Sequence, residues 1–498
     1  MKQEGGILKP KLAKKGEENR APEAGFSERL QKNFPWEATA GQAELFSRIG
    51  NWLALNTSGR HVFVLRGYAG TGKTAFLGAL VKSLKAGSLK VQLMAPTGRA
   101  SKVMSSYTGR QAFTIHKRIF RFEPDHDGLP RLRRQKNSAS QTLFVVDEAS
   151  MLGNLAEFGT KGILEELIRF VFEDESNRLL IIGDSAQLPP VGTDLSPALK
   201  PDWLADSFRL KVEELELTGV VRQMADSGIL ENATRLRECI RLNETSFFFQ
   251  TAGFRDIYKM SPARTMEGID YAYQKYGMER TLVITRTNRQ ANRYNQAIRN
   301  QLLFREEEVE NGDWVMVVKN NYAQSEESRD FIANGDLGVV GNTGRPSSDY
   351  PLRLCRMDIR FGDGDNETSG SYVVTLDLLH SDLPQLEEEK IKALHEVLLK
   401  EWGEESGKAR KRWALLRTEP DANPLQIKFG YALTCHKAQG GQWDAVFIDH
   451  GYLKDPGPDR EFFRWMYTAL TRARQEVFLI GPDERLFAPA VPVGAGLG

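Results

Sequence analysis

Residues 61–77 read His-Val-Phe-Val-Leu-Arg-Gly-Tyr-Ala-Gly-Thr-Gly-Lys-Thr-Ala-Phe-Leu. That order of residue types can hold a phosphate. Gly67, Gly70 and Gly72 let the backbone of 67–74, with Ala69 and Thr71 between them, turn its N–H groups onto an anion. Lys73 would reach β- and γ-phosphate oxygens, and the Thr74 hydroxyl would bind Mg²⁺. The alternative is a tight turn with a surface lysine. A cradle that works on a nucleoside triphosphate also needs acids, and Leu143-Phe-Val-Val-Asp147-Glu148 delivers two at the end of an apolar run. Asp147 would hold the metal, and Glu148 would orient and deprotonate the attacking water. A solvated turn would also place two acids there. Gln187, at the end of the next apolar run, is placed to sense the γ-phosphate. Positive charge for the transition state has two candidates, Arg222 and Arg472, although most arginines are solvated surface residues.

The elements that must position these groups are legible. Val62–Leu65 is a short buried-strand run, and Ala75, Phe76, Leu77, Ala79, Leu80, Val81 and Leu84 follow at helical spacing. Strand, glycine turn and helix form the context that a phosphate cradle requires. Strands are expected at 91–95, 143–146 and 179–182, alternating with helical stretches, which argues for a parallel sheet. Each polar motif falls at a strand's carboxyl end, where such sheets bind ligands. A second α/β set begins near 205, with strands at 281–285, 425–434, 445–448 and 476–480. Between about 305 and 424 it is interrupted by short strands at 314–318, 337–341, 352–361 and 372–377, the signature of a small β-barrel. A charged helix at 385–402 carries Ile391, Leu394, Leu398 and Trp402 on one face.

At 498 residues the chain is too long for one core. A net charge of +1 means that any nucleic-acid surface is a local patch. Three well-separated cysteines with no C-x-x-C pair fit reduced thiols, and no apolar run reaches membrane-span length. These features lead to an expectation of a cytoplasmic protein with no membrane partner. Residues 1–33, poor in large apolar side chains, are expected to be a disordered tail.

Eight segments in order resemble the superfamily 1 helicases of the Dda and RecD type. They are GYAGTGKT (67–74), APTGRAS (95–101), TIH (114–116), DEAS (147–150), GDSAQLPPVG (183–192), LTGVVRQ (217–223), YALTCHKAQGGQW (431–443) and YTALTRAR (467–474). The resemblance spans roughly 36–483. It implies an α/β fold of two RecA-like P-loop domains, with a β-hairpin pin and an SH3-like β-barrel inserted. The expected division is 34–204 for the first domain with the pin at 117–141, 205–304 and 425–498 for the second, and 305–424 for the barrel insertion. It also implies an ATP- and Mg²⁺-dependent DNA helicase moving 5′→3′ on single-stranded DNA, acting on forked duplexes as a monomer. Adenine recognition would fall to Gln42, γ-phosphate contacts to Gln187, Arg222 and Arg472, and a further nucleotide contact to Gly440. Pro96, Thr97, Thr114, His116, Thr434, His436 and Lys437 would touch the DNA backbone or couple it to ATP. Gln442 departs from the family, where an acid commonly follows the glycine pair.

Lys117, Arg118, Arg121, Arg131, Arg133, Arg134 and Lys136 flank the turn 123–128, which reads as a basic hairpin. Phe120 or Phe122 would be its apolar wedge; the alternative is a solvated hairpin without that role. The barrel is either a clamp on pin or DNA, or a docking module for protein partners. Other readings that keep the phosphate motifs are a DNA translocase that does not unwind, an RNA-acting relative, and a P-loop small-molecule kinase.

Overall fold

Val62, Phe63, Val64 and Leu65 are buried on both faces because their strand lies inside a parallel sheet, where apolar runs replace alternation. In this computed structural model the described residues are 25–55, 59–84, 89–124, 130–154, 162–219, 226–321, 323–324, 332–362, 368–402, 415–416, 418–453, 455 and 457–487.

The first lobe comprises α1 (Phe26–Asn33), α2 (Ala40–Ala54), β1 (His61–Gly67), α3 (Lys73–Ser83), β2 (Lys90–Ala95), α4 (Gly98–Thr108), β3 (Ala112–Thr114), α5 (Ile115–Ile119), β4 (Phe120–Pro124), β5 (Pro130–Arg134), β6 (Thr142–Val146), α6 (Ile163–Val171), β7 (Arg178–Gly183), α7 (Pro201–Phe208) and β8 (Lys211–Leu217). Its six-stranded sheet has the order β3-β2-β6-β7-β1-β8, and all its pairings are parallel. β4 and β5 stand apart as an antiparallel pair.

The second lobe contains α8 (Gly228–Leu242), β9 (Ile257–Met260), α9 (Thr265–Tyr276), β10 (Thr281–Thr285) and α10 (Asn288–Ala297) before the insertion. The insertion supplies β11 (Trp314–Val317), β12 (Leu337–Thr343), β13 (Leu354–Phe361), β14 (Thr368–Thr375), α11 (Glu388–Glu401) and β15 (Leu425–Phe429), its five strands closing into a barrel. The lobe then resumes with β16 (Ala432–Thr434), the one-turn helix Cys435–Ala438, β17 (Trp443–Asp449), the helix Arg460–Leu470 and β18 (Ala473–Ile480). Its parallel sheet runs β16-β10-β17-β18-β9. Barrel and lobe are joined through a buried pair: Arg299 donates to both Asp313 oxygens at 3.0 and 2.9 Å, and Tyr431 donates to the same carboxylate at 2.9 Å. A buried charge so fully bonded fixes the joint's geometry.

Four expectations change. The tail expected at 1–33 is a helix over Phe26–Asn33, because Phe26 and Leu30 complete an apolar face that buries against α3; residues 1–24 lie outside the described residues. The first domain extends past 204, since β8 pairs with β1. The segment expected as one strand at 425–434 is two, because the chain breaks at Gly430: β15 closes the barrel against β11 and β14, and β16 enters the second sheet. The basic segment 117–141 opens as a helical turn, α5, so the hairpin proper is 120–134. The charged helix forms as α11, with Leu394 and Leu398 buried beside Leu352, Leu354 and Val373.

Candidate active site and nucleic-acid channel

Thr39 caps α2 in a reciprocal box with Gln42, its hydroxyl accepting from Gln42 N and its own N–H donating to Gln42 Oε1. That box aims the Gln42 amide under the cradle, where Nε2 donates to the Thr71 carbonyl at 3.0 Å. A Cβ on Gly72 would lie 2.5 Å from that same nitrogen, and Gly72 has φ +88, so only glycine fits both demands. Lys73 Nζ donates to the Gly67 and Tyr68 carbonyls at 2.6 and 2.8 Å, 4.0 Å from Asp184 Oδ2. The Thr74 side chain is exposed at the start of α3.

Asp147 follows β6, both of its oxygens engaged. Oδ1 accepts the Glu148 N–H at 2.8 Å, and Oδ2 accepts the Tyr107 hydroxyl at 2.8 Å. Glu148 takes φ +53, a left-handed conformation rare outside glycine and often tied to function. Burial pushes its carboxyl above the usual carboxylate range, while Arg472 and then Lys73 pull it down and Asp147 and Asp184 push it up. A carboxylate so balanced is suited to accepting a proton.

Arg472, on the second lobe, is thus close enough to Glu148 for its charge to act on that carboxyl. It is buried, with Nε on the Thr468 carbonyl, Nη1 on the Gly441 carbonyl and Nη2 on the Thr471 hydroxyl. Around it the lobes are bonded directly. The Tyr467 hydroxyl accepts the Ala69 N–H at 2.8 Å and donates to Asp184 at 2.7 Å. Thr468 accepts from Leu188 N at 2.9 Å, Gln439 donates to the Leu188 carbonyl at 2.9 Å, and Arg464 donates to the Gln187 carbonyl. Gln187 is buried, its Oε1 at 3.5 Å from the Ser150 hydroxyl. Arg222 lies outside the described residues. Tyr467, Thr468, Arg464 and Tyr107 have no role assigned from the sequence, although Tyr467 and Thr468 stand in the segment 467–474; the available signal is Thr468, four positions before Arg472.

A channel of about 220 Å³ opens where both lobes and the barrel meet. Pro96, Thr97, Thr114 and His116 line it from the first lobe, His436, Lys437 and Gln439 from the second, and Met316, Asn320 and residues 333–335 from the barrel. Thr97 and Thr114 each cap a helix, accepting from Ala100 N and Lys117 N, which fixes both loops. Lys437 Nζ is buried without a hydrogen-bond partner among the described residues. Burial, then the neighbouring Lys428 cation, pulls its amine from the ordinary 10.5 down to about 8. Thr434 lines a smaller adjoining cavity with Lys428 and Lys437.

The start of α4 is clamped on two sides. Arg99 stacks 3.8 Å from the Trp443 ring centroid, Lys102 pairs with Asp336 at 3.3 Å, and a Cβ on Gly98 would meet Ala333 at 2.8 Å. Gly440, expected near nucleotide, sits with φ +75 against Ala100 and Thr97, where a Cβ would lie 2.9 Å from the Ala100 methyl. Its place is a close approach between lobes. Gln442 accepts from Arg474 Nε at 3.0 Å.

Phe120, expected as a wedge, is buried at the root of the hairpin with Ile115 and Ile119, because its strand position faces the first lobe's core. The Phe122 side chain lies outside the described residues. Arg134, paired across from Phe120, bonds Glu166 at 3.1 Å and also Glu173, anchoring the hairpin to α6.

Comparison with known proteins adds matches at both ends of this interface. The AAA domain family matches residues 39–243 and the UvrD-like helicase C-terminal domain family matches 429–480. The ATP-dependent RecD2 DNA helicase of Deinococcus radiodurans is 26% identical over 458 residues, covering 90% of this chain and 50% of that protein, so the chain spans about half that relative's length. An uncharacterised protein of Acanthamoeba polyphaga mimivirus is 22% identical over 490 residues, covering 85% of this chain and 96% of its own. A solved structure of Pif1 helicases at forked double-stranded DNA is 16% identical, covers 91% of this chain and 95% of that one, and has a TM-score of 0.49. One family is thus matched on each lobe, and the eight motifs that resemble the superfamily 1 helicases of the Dda and RecD type fall in order across the interface between them.

Proposed function

We propose that this chain is an ATP-dependent DNA helicase that moves 5′→3′ along single-stranded DNA and separates duplex strands. The observation that carries the reading is the channel: Pro96, Thr97, Thr114, His116, His436 and Lys437, far apart in sequence, line one opening. The segments that line it continue into the nucleotide interface. α4 runs from the channel to Asp147, and the stretch after Lys437 runs through Gln439 to Gly441, whose carbonyl holds Arg472. Opening or closing the lobes must therefore move both places together.

In this reading Lys73 and the N–H groups of 67–74 hold the phosphates, Glu148 accepts a proton from the attacking water, and Arg472 with Gln187 and Arg222 stabilises the transferring phosphoryl group. Gln42 has one amide N–H and one lone pair beyond its Thr39 and Thr71 bonds with which to meet adenine. Thr74 and Asp147 suit magnesium, which takes one or two hard protein oxygens and fills its sphere with water and phosphate. When bound there, held by Thr74 and Asp147, the ion would supply charge neutralisation for the phosphates.

Strand displacement on forks bearing a 5′ or a 3′ tail tests the proposal. Unwinding from the 5′ tail supports it; unwinding from the 3′ tail alone overturns the direction. Hydrolysis stimulated by RNA but not by single-stranded DNA overturns the substrate. Deleting 122–132 leaves Phe120 and Arg134 as the hairpin's anchors. It should abolish unwinding while DNA-stimulated hydrolysis continues, and loss of both would remove the wedge role.

A further inference from the structure

We propose that Tyr107 is a positioning residue for the metal-holding carboxylate of Asp147, and that α4 carries strand engagement to it. This rests on the ATP-hydrolysing reading above. The eleven residues of α4 span roughly 16 Å. At its start Thr97, Gly98 and Arg99 line the channel, and Gly440 rides on Ala100. Near its end the Tyr107 hydroxyl donates to Asp147 Oδ2 at 2.8 Å. The opposite oxygen accepts the Glu148 N–H at 2.8 Å. One carboxylate is thus held by two donors, one from its own strand end and one from the helix that begins in the channel.

The phenol acts here as a hydrogen-bond donor to that carboxylate. α3 packs against this end of α4, where a Cβ on Gly78 would lie 3.4 Å from the Tyr107 carbonyl. A shift of α4 when a strand enters the channel must then be felt at Asp147 through this hydroxyl. A second carboxylate partner on a rigid helix orients an outer ligand, and loss of such a partner weakens metal binding by roughly tenfold or more.

Tyr107→Phe deletes the donor and keeps the ring. Manganese binding in the presence of ADP, followed by the electron paramagnetic resonance of free Mn²⁺, reads the site without turnover. We expect its dissociation constant to rise roughly tenfold. The Mg²⁺ half-saturation of hydrolysis should rise in parallel, and stimulation by single-stranded DNA should fall while the Kd for the same DNA stays put. Unchanged Mn²⁺ affinity and unchanged stimulation, even with a lowered Tm, would overturn the proposal. Failure of the unsubstituted protein to hydrolyse ATP would instead overturn the functional reading, and the manganese titration would still report on Asp147.

Discussion

On the phosphate side of the interface, groups from the two lobes already meet: Tyr467 joins Ala69 N to Asp184, and Thr468, Gln439 and Arg464 bond residues 187–188. On the channel side the Lys437 amine is buried without a hydrogen-bond partner among the described residues, and the Lys428 amine next to it donates to the Ser381 carbonyl. One side is satisfied by protein. The other holds a buried amine with no hydrogen-bond partner among the described residues, and a buried cation is stabilised by gaining an anion. In the proposed function, phosphate chemistry would thus use a frame already bonded across the lobes, and strand binding would use a site completed by its ligand. Changes on the first side should alter turnover at constant strand affinity, and changes on the second should do the reverse.

The largest break is expected at Arg472. Arg472→Ala should lower kcat by about 10³–10⁵-fold if this cation supports the transferring group. Arg472→Lys should recover little, since a lysine cannot reproduce the fork held by the Thr468 and Gly441 carbonyls. Single-stranded DNA affinity measured by anisotropy should be unchanged in both. Next comes Glu148→Gln, with a fall of about 10²–10⁴-fold and retained ATP binding. Because burial raises this carboxyl, the acid limb of kcat should lie above the ordinary carboxylate range, and near-normal turnover in the amide variant would end its role as base. A smaller, opposite effect belongs to Tyr467→Phe. Its hydroxyl occupies the Ala69 N–H, which a phosphate would take, so its removal should tighten ATP binding by roughly two- to tenfold.

Much of this frame was legible in the sequence because its signals are local. Strand, glycine turn and helix at 61–84, the acids after β6, and the barrel strands each follow from residue order alone. Phe120 was misread for the complementary reason. An aromatic in a basic hairpin reads the same whether it faces solvent or core, and only the packing of α5 decides. The boundary at 425 failed because Leu425–Phe429 and Ala432–Thr434 carry similar apolar runs, and the sequence does not show that Gly430 hands the chain from barrel to sheet. Tyr107 had no signal, since its partner lies 40 positions away on another element.

The finest test of the contrast is Lys437→Met. Burial has brought the amine down to about 8, so above that pH it must take up a proton to meet a DNA phosphate, and affinity should weaken as pH rises. Lys428, also brought to about 8 by burial, contributes in the same sense, with Asp382 opposing. The methionine variant should bind single-stranded DNA more weakly at pH 7, with a flatter pH dependence and a salt slope smaller by about 0.7. Stability should move the other way. The folded amine titrates near 8 and the unfolded one near 10.5, so between those values the unfolded chain holds more protons and wild-type stability rises with pH. Lys437→Met should therefore raise Tm at pH 7, and the gain should shrink as pH climbs from about 8 to 10.5. A variant that loses both affinity and Tm at pH 7 would mean the lysine is structural, and the channel side would then be as protein-satisfied as the phosphate side.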